Sequence, residues 1–338
     1  MTSRRNGAPR AWALAALLTA ALVPALALAQ QQELGGQRRG TASLEFLKIG
    51  IGARAEGMGQ AFVSVANDPS AVYWNPAGIG AILRREVQVN TADYPADIRY
   101  NHMVVVLPSP KLGGSLAIQL GGFAAEMAET DEYHPFGTGR TFTFTDFVAG
   151  ATYARRFTDR LLIGFGVKYA REDFGTQIDA PSTGALLFDI GSIYYLGWRS
   201  LRVGMSLTNF GGEAGPRGQF VSGNTGDTRS YDAFSPPTMF RYGIGFEPIE
   251  TDKFRWTTAL EASQASDNAI EYRAGTEMLI VGHLALRSGY QIRSDAFKFS
   301  AGAGFRGEIA GLSGQVDYSY TDAGPLGHVN RISLQAAF

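Results

Sequence analysis

From Glu86 to Phe338 the chain repeats one pattern, and that pattern leaves few folds open to it. Segments of about ten residues alternate apolar side chains with small or polar ones, and glycine, proline, aspartate or asparagine turns separate them. Leu161, Ile163, Phe165, Val167 and Tyr169 oppose Gly164, Gly166, Lys168 and Ala170. Leu312, Gly314, Val316, Tyr318 and Tyr320 oppose Ser313, Gln315, Asp317 and Ser319. A period of two belongs to strands whose faces meet different surroundings, and a strand crosses a bilayer in ~9–11 residues. The pattern predicts fourteen strands: 86–93, 99–107, 112–126, 140–156, 160–173, 183–196, 201–210, 237–247, 252–263, 268–278, 283–292, 297–306, 311–320 and 328–338. The fold class is therefore an all-β membrane barrel of about fourteen antiparallel strands. A change of phase between Phe144 and Phe147 predicts a bulge in the fourth strand.

The connections sort by length. The long ones, 127–139, 174–182, 211–236 and 321–327, all follow odd-numbered strands. Those after even-numbered strands are short. Bacterial barrels have short periplasmic turns and longer external loops, so this alternation predicts both termini in the periplasm. The charged positions of the strands fall on the face opposite the apolar one. Lys168, Arg241, Arg255, Glu271, Arg273, Glu277, Arg287, Lys298, Arg306 and Asp317 are predicted to face the lumen, because Arg or Lys on the lipid face costs ~2–4 kcal/mol at the midplane. The two signs are mixed, which argues for paired charges rather than an ion-selective lining.

Composition agrees. Hydrophobic residues make up 45% of the chain, yet mean hydropathy is −0.06, far below a helical membrane protein. Glycine is abundant, 42 of 338 residues, as in barrels that pack small residues inside. With no cysteine there is no disulfide, thiolate metal site or lipoprotein anchor. Residues 1–29 read as a secretory signal: Arg4, Arg5 and Arg10, then an apolar run, then Ala27-Leu28-Ala29. Without that segment 27 basic residues face 31 acidic ones, which argues against a nucleic-acid partner. Residues 30–40 are polar and expected to be disordered.

Residues 41–85 precede the repeat and do not share its period. The stretch Gly50–Ile82 is rich in glycine and small residues and is too short to own a core. Asp68-Pro69 reads as a helix start, and Asn75-Pro76 repeats the signal. This predicts a kinked plug with short helices inside the barrel. Trp74 beside Tyr73 is expected to pack against the wall.

The residues Gly52, Arg54, Gly57, Gly59, Asp68, Asn75, Pro76, Ala77 and Gly78 stand in a dense run, G-A-R-A-x-G-M-G through Y-W-N-P-A-G. That run resembles the start of the PorV/PorQ family, FadL-like outer-membrane barrels associated with type IX secretion. The resemblance implies a fourteen-stranded barrel with the Asn75-Pro76-Ala77 segment in its hatch. It also implies a role in accepting, shuttling or attaching secreted proteins that carry a C-terminal sorting domain. The alternative within the same superfamily is an uptake channel for hydrophobic small molecules. The last strand ends in Phe338, the usual outer-membrane assembly signal, although Asn330 stands where the family tends to have histidine. The expected partners are thus outer-membrane lipid and either secretion substrates and machinery or a hydrophobic solute.

Enzymatic motifs are lacking. The glycines form neither a phosphate loop nor a dinucleotide fingerprint. His102, His134, His283 and His328 are scattered without ligand spacing. No catalytic residue, metal or cofactor is expected. Glu271, Arg273 and Glu277 read as lumenal ion pairs.

Overall fold

The structure is a computed structural model and describes residues 39–338 other than 96–97, 131, 176–179, 217, 222–225, 295–296 and 310. The predicted signal and nearly all of segment 30–40 lie outside the described residues. Fourteen antiparallel strands close into one barrel. They are β1 (Glu86–Asp93), β2 (Arg99–Ser109), β3 (Gly114–Ala128), β4 (Thr141–Thr158), β5 (Leu161–Asp173), β6 (Ser182–Tyr195), β7 (Arg202–Gly211), β10 (Met239–Glu250), β11 (Phe254–Ala265), β12 (Glu271–Ile280), β13 (Leu284–Ile292), β14 (Phe299–Ile309), β15 (Leu312–Asp322) and β16 (His328–Ala337). Strand β16 pairs back onto β1, Glu86 opposite Ala337, so the ring has no free edge. The alternation explains the wall: Ile163, Phe165 and Tyr169 of β5 are exposed, while Leu162, Lys168 and Ala170 on its other face are buried.

Three features depart from the sequence-based expectation. The connection between β7 and β10 is not bare loop: β8 (Gln219–Val221) and β9 (Thr228–Ser230) form a small hairpin there. The fourth strand has no bulge at Phe144–Phe147. Its ladders with β3 and β5 run through that point in register, and the shift comes later, between Arg156 and Thr158. Phe144 shares the inward face of Asp146 and Val148. Near the long-loop mouth this face meets Phe123 and Phe174, with ring centroids 6.0 and 5.8 Å away, so an aromatic residue is at home there.

The third departure concerns the chain start. Residues 44–82 are almost wholly buried within the ring. They form a 3-10 turn at Glu45–Lys48, helices at Ala53–Gly57 and Ala71–Trp74, and a 3-10 helix at Pro76–Ala81. The Ser43 N–H donates to the Ser235 carbonyl (3.2 Å) in the long connection before β10. At the other end Arg85 exchanges backbone hydrogen bonds with Phe338 (3.2 and 2.9 Å) on the short-turn rim. The segment therefore runs the length of the lumen. Its first described residues lie at the long-loop mouth, not at the periplasmic rim where both termini were expected. A contact with that mouth holds it there: Lys48 Nζ, which also meets Glu45 of its own turn (2.7 Å), reaches Asp267 (2.5 Å).

Candidate functional site

The lumen holds its plug on two different walls. On the β11–β16 side the contacts are charged. The Arg54 guanidinium forks onto both Glu277 oxygens (2.9 and 2.9 Å) and also reaches Asn67 (2.6 Å) and Asp68 (3.0 Å). Glu277 accepts from Arg287 (2.6 Å), and Arg287 donates on to Asp317 (2.7 Å). Glu261 of β11 accepts the N–H groups of Phe62 and Val63 at 2.9 and 2.8 Å. Arg331 approaches Glu56 (3.4 Å), and Ser333 accepts the Ala53 N–H (2.7 Å). These groups are buried, where a lone charge is costly and a paired one tolerable.

On the β4–β7 side the plug's backbone lies against glycine. A Cβ at Gly164 would overlap Pro76 and Ala77, one at Gly191 would overlap Asn75, and one at Gly204 would overlap Val63. Asn75 caps the 3-10 helix as expected: its Oδ1 accepts the Ala77 N–H (3.2 Å). Its Nδ2 donates to the carbonyls of Val63 (2.7 Å) and Ser192 (3.0 Å), tying plug to wall. Ser70 stands at the N-cap predicted for Asp68, which lies two residues before it. Asp68 accepts from Ser70 N–H and Oγ–H (3.0 and 2.5 Å), and the helix itself begins at Ala71. Gly52 precedes the helix Ala53–Gly57, Gly57 touches Gly302 of β14, and Gly59 has φ +62° against Gly289 and Tyr290 of β13. Gly78 sits tight against Ala66. Trp74, expected against the wall, packs instead within the plug, edge-on to Phe62 and Tyr73, with its N–H on the Ile51 carbonyl (2.8 Å); the wall reaches its ring through Arg241 (5.4 Å).

The predicted lumen charges separate into four groups. Lys168 with Asp189 (2.8 Å), Arg273 with Glu261 (3.4 Å) and Glu271 (2.8 Å), and Glu277, Arg287 and Asp317 are inside and paired. Arg241 is buried without a carboxylate contact among the described residues. It rests on the rings of Tyr73 and Trp74 at 5.0 and 5.4 Å, where a desolvated guanidinium is stabilised by the π-faces. Arg255 and Arg306 stand at the short-turn mouth, exposed, and line a polar cavity of about 260 Å³ with Arg54, Glu86 and Glu277. Lys298 is a correction: it precedes β14 and is exposed at the long-loop rim. Its position in the alternation is right, but the strand starts one residue later. Phe338 follows β16 and its side chain is exposed.

Two cavities carry no motif that the sequence could have flagged. One, of about 690 Å³, opens at the long-loop mouth between Leu44, Phe174, Ala214, Phe220, Tyr231 and Phe234. Glu45 lines it too, and burial pushes that carboxyl up against the opposing pull of Lys48. The other, about 430 Å³, is an apolar recess in the wall, lined by Val89, Met103, Leu120, Phe123 and Phe147. It lies where the β2–β3 ladder stops at Asn101–Gly122 while β3 continues along β4 to Ala128. Phe174 lines the first cavity, Phe123 the second, and Phe144 touches both rings.

No protein-family model and no curated protein matches the chain. Among solved structures it is similar to the Ralstonia pickettii toluene transporter TbuX, with a TM-score of 0.55 at 12% identity over 85% of this chain and 97% of that one. It is similar also to a Pseudomonas aeruginosa FadL homologue (TM-score 0.52, 14% identity, 86% and 98% covered). The monoaromatic hydrocarbon channel CymD gives 0.52 at 12% identity, with 85% and 96% covered. At such identities the likeness is one of fold. The chain has the architecture of the FadL-type barrels, and its closed ring with an apolar outer face belongs in the Gram-negative outer membrane.

Proposed function

We propose that the chain is a channel for small hydrophobic molecules. The observation that carries this reading is the aromatic line Phe174–Phe144–Phe123, which joins the mouth cavity to the wall recess. The mouth cavity falls in the usual ligand range of ~300–1,000 Å³; its wall is mixed, with Leu44, Phe174, Phe220 and Phe234 beside Glu45, Glu172, Arg229 and Asp232. The lumen axis is filled by Met58, Phe62 and Trp74, all fully buried. A solute therefore has no straight path while the plug is seated. The recess between β2 and β3 offers a sideways one, lined by the apolar surface such a solute prefers. The neighbours named above include a toluene transporter and a hydrocarbon channel, which supports the same class of solute.

The test is uptake of toluene, and separately of a long-chain fatty acid, by cells making the protein. Phe144→Glu places a charge on the aromatic line and should lower uptake by about tenfold or more, with the barrel still heat-modifiable on gels. Equal uptake by wild type and variant, or none by wild type, would reject the channel. A second reading rests on the Gly52–Gly78 resemblance: service in type IX secretion to proteins with a C-terminal sorting domain. It requires that deletion of the gene strand such proteins in the periplasm, with hydrocarbon uptake unchanged.

A further inference from the structure

The seven junctions of the short-turn rim are not alike. Four consecutive ones carry an excess of positive charge. Arg84 and Arg85 precede β1, Lys111 lies between β2 and β3, Arg155, Arg156 and Arg160 surround the β4–β5 turn, and Arg199 lies between β6 and β7. All seven side chains are exposed, and none forms an ion pair among the described residues. The acids in this arc are Asp159 and the half-buried Glu86, which Gln335 holds at 2.9 Å. The other three junctions are balanced. Arg255 pairs with Glu250 (3.1 Å), Lys253 follows Asp252, Arg306 is bonded to Gln315 (2.8 Å) with Glu308 beside it, and the β12–β13 turn brings only His283.

The same arc also exposes apolar side chains where a soluble rim would be polar. Leu83 is 85% exposed, Trp198 65%, Phe157 61% and Leu112 51%. The guanidinium of Arg155 lies over the Phe157 ring at 5.5 Å, and that of Arg199 over Trp198 at 5.8 Å. Each pair presents an apolar body and a cationic tip at one level. The level is set by the wall, for Leu107, Leu116, Ile163 and Tyr194 of the adjoining strands are themselves exposed on the outer face. The apolar side chains thus continue the lipid-facing surface, and the cations stand just beyond it, at the depth of headgroups.

We propose that this arc, from the start of β1 to the β6–β7 turn, binds anionic phospholipid headgroups and seats the barrel asymmetrically on a charged leaflet. Guanidinium groups meet phosphate with paired hydrogen bonds, and the leucine and aromatic side chains enter the acyl boundary beside them. The balanced arc has no such preference. One face of the barrel therefore keeps a shell of anionic lipid and the opposite face does not.

The test uses the full barrel in mixed micelles holding equal phosphatidylglycerol and phosphatidylcholine, with retained lipid counted by native mass spectrometry. Wild type should keep phosphatidylglycerol preferentially. The variant R155Q/R156Q/R160Q/R199Q should lose that preference by about tenfold or more, since each cation near an anionic surface counts separately. The variant K253Q/R255Q on the balanced arc should keep it. Heat-modifiability reports folding, and R155Q/R156Q alone, expected to lose part of the preference, serves if the fourfold variant does not assemble. Excess inorganic phosphate should leave the bound lipid in place. No preference in wild type, an unchanged preference in the folded arc variants, or displacement by inorganic phosphate would each overturn the proposal.

Discussion

The two walls of the lumen hold one plug by different mixtures of charge and close packing: Gly275 and Gly289 lie against its backbone on one side, and Arg202 donates to Ser64 on the other (2.9 Å). On the β11–β16 side Arg54, Glu56, Phe62 and Val63 meet charged partners, Glu277, Arg331 and Glu261, at hydrogen-bonding or ion-pair distances. On the β4–β7 side Pro76, Ala77 and Val63 lie directly on Gly164, Gly191 and Gly204. Charges fix register, because a shifted plug leaves a buried ion without its partner. Glycines fix distance, because they admit backbone to backbone and nothing larger. The aromatic line and the wall recess border the second kind of wall, whose buried Lys168–Asp189 pair is closed on itself (2.8 Å).

Substitutions on the two walls should differ in cost. The largest effect is expected from Arg54→Met, which leaves the buried Asp68 and part of Glu277 unpaired. It should cost about 3–5 kcal/mol, lower the temperature at which the unboiled gel form is lost, and raise ion conductance across planar bilayers. Gly164→Val should cost less, about 1–3 kcal/mol, by pressing on Pro76. Its reading is the same melting series, and a cost above that of Arg54→Met would reverse the ranking of the two walls. Asn75→Ala should cost about 0.5–2 kcal/mol, leave heat-modifiability intact and change solute passage alone. Loss of all assembled barrel would instead make the plug a folding nucleus. The smallest change is a cut: trypsin on intact cells should cleave after the exposed Arg229 and spare Arg199 on the other rim. Cleavage at Arg199 first would invert the two rims.

Much of the barrel was legible because alternation reports which medium each face meets. All fourteen strands appear within three residues of their predicted bounds, from β1 at Glu86–Asp93 to β16. The ends drift where the medium changes. Asn268 and Ala269 keep the strand pattern but belong to a turn, and Lys298 falls one residue short of β14. Phe144 misled because an aromatic residue on the inward face was read as a phase error, when the lumen near that mouth is itself aromatic. The Asn75 cap was readable from a local signal, Asn before Pro. The wall glycines were not: Gly164 and Gly191 look like any small lumenal residue until the plug backbone is seen lying on them. Nor does any local signal say which mouth the chain start reaches, since Ser43 is held by Ser235, far away in sequence.

That threading has a consequence for how the molecule is made. Each neighbouring strand pair is joined by a connection in the chain, save one: β1 meets β16 across the whole barrel sequence. Local hairpins close readily and the distant seam closes at greater entropic cost, so the seam is the last ladder to form. The plug runs from one mouth to the other and passes straight into β1. Its buried Arg54 and Glu56 meet Glu277 and Arg331 inside the closed ring, so the plug and the seam complete one interior. A plug that enters a finished ring and a plug that the strands close around make different demands on assembly, and survival or loss of the folded barrel in the Asn75→Ala variant separates the two.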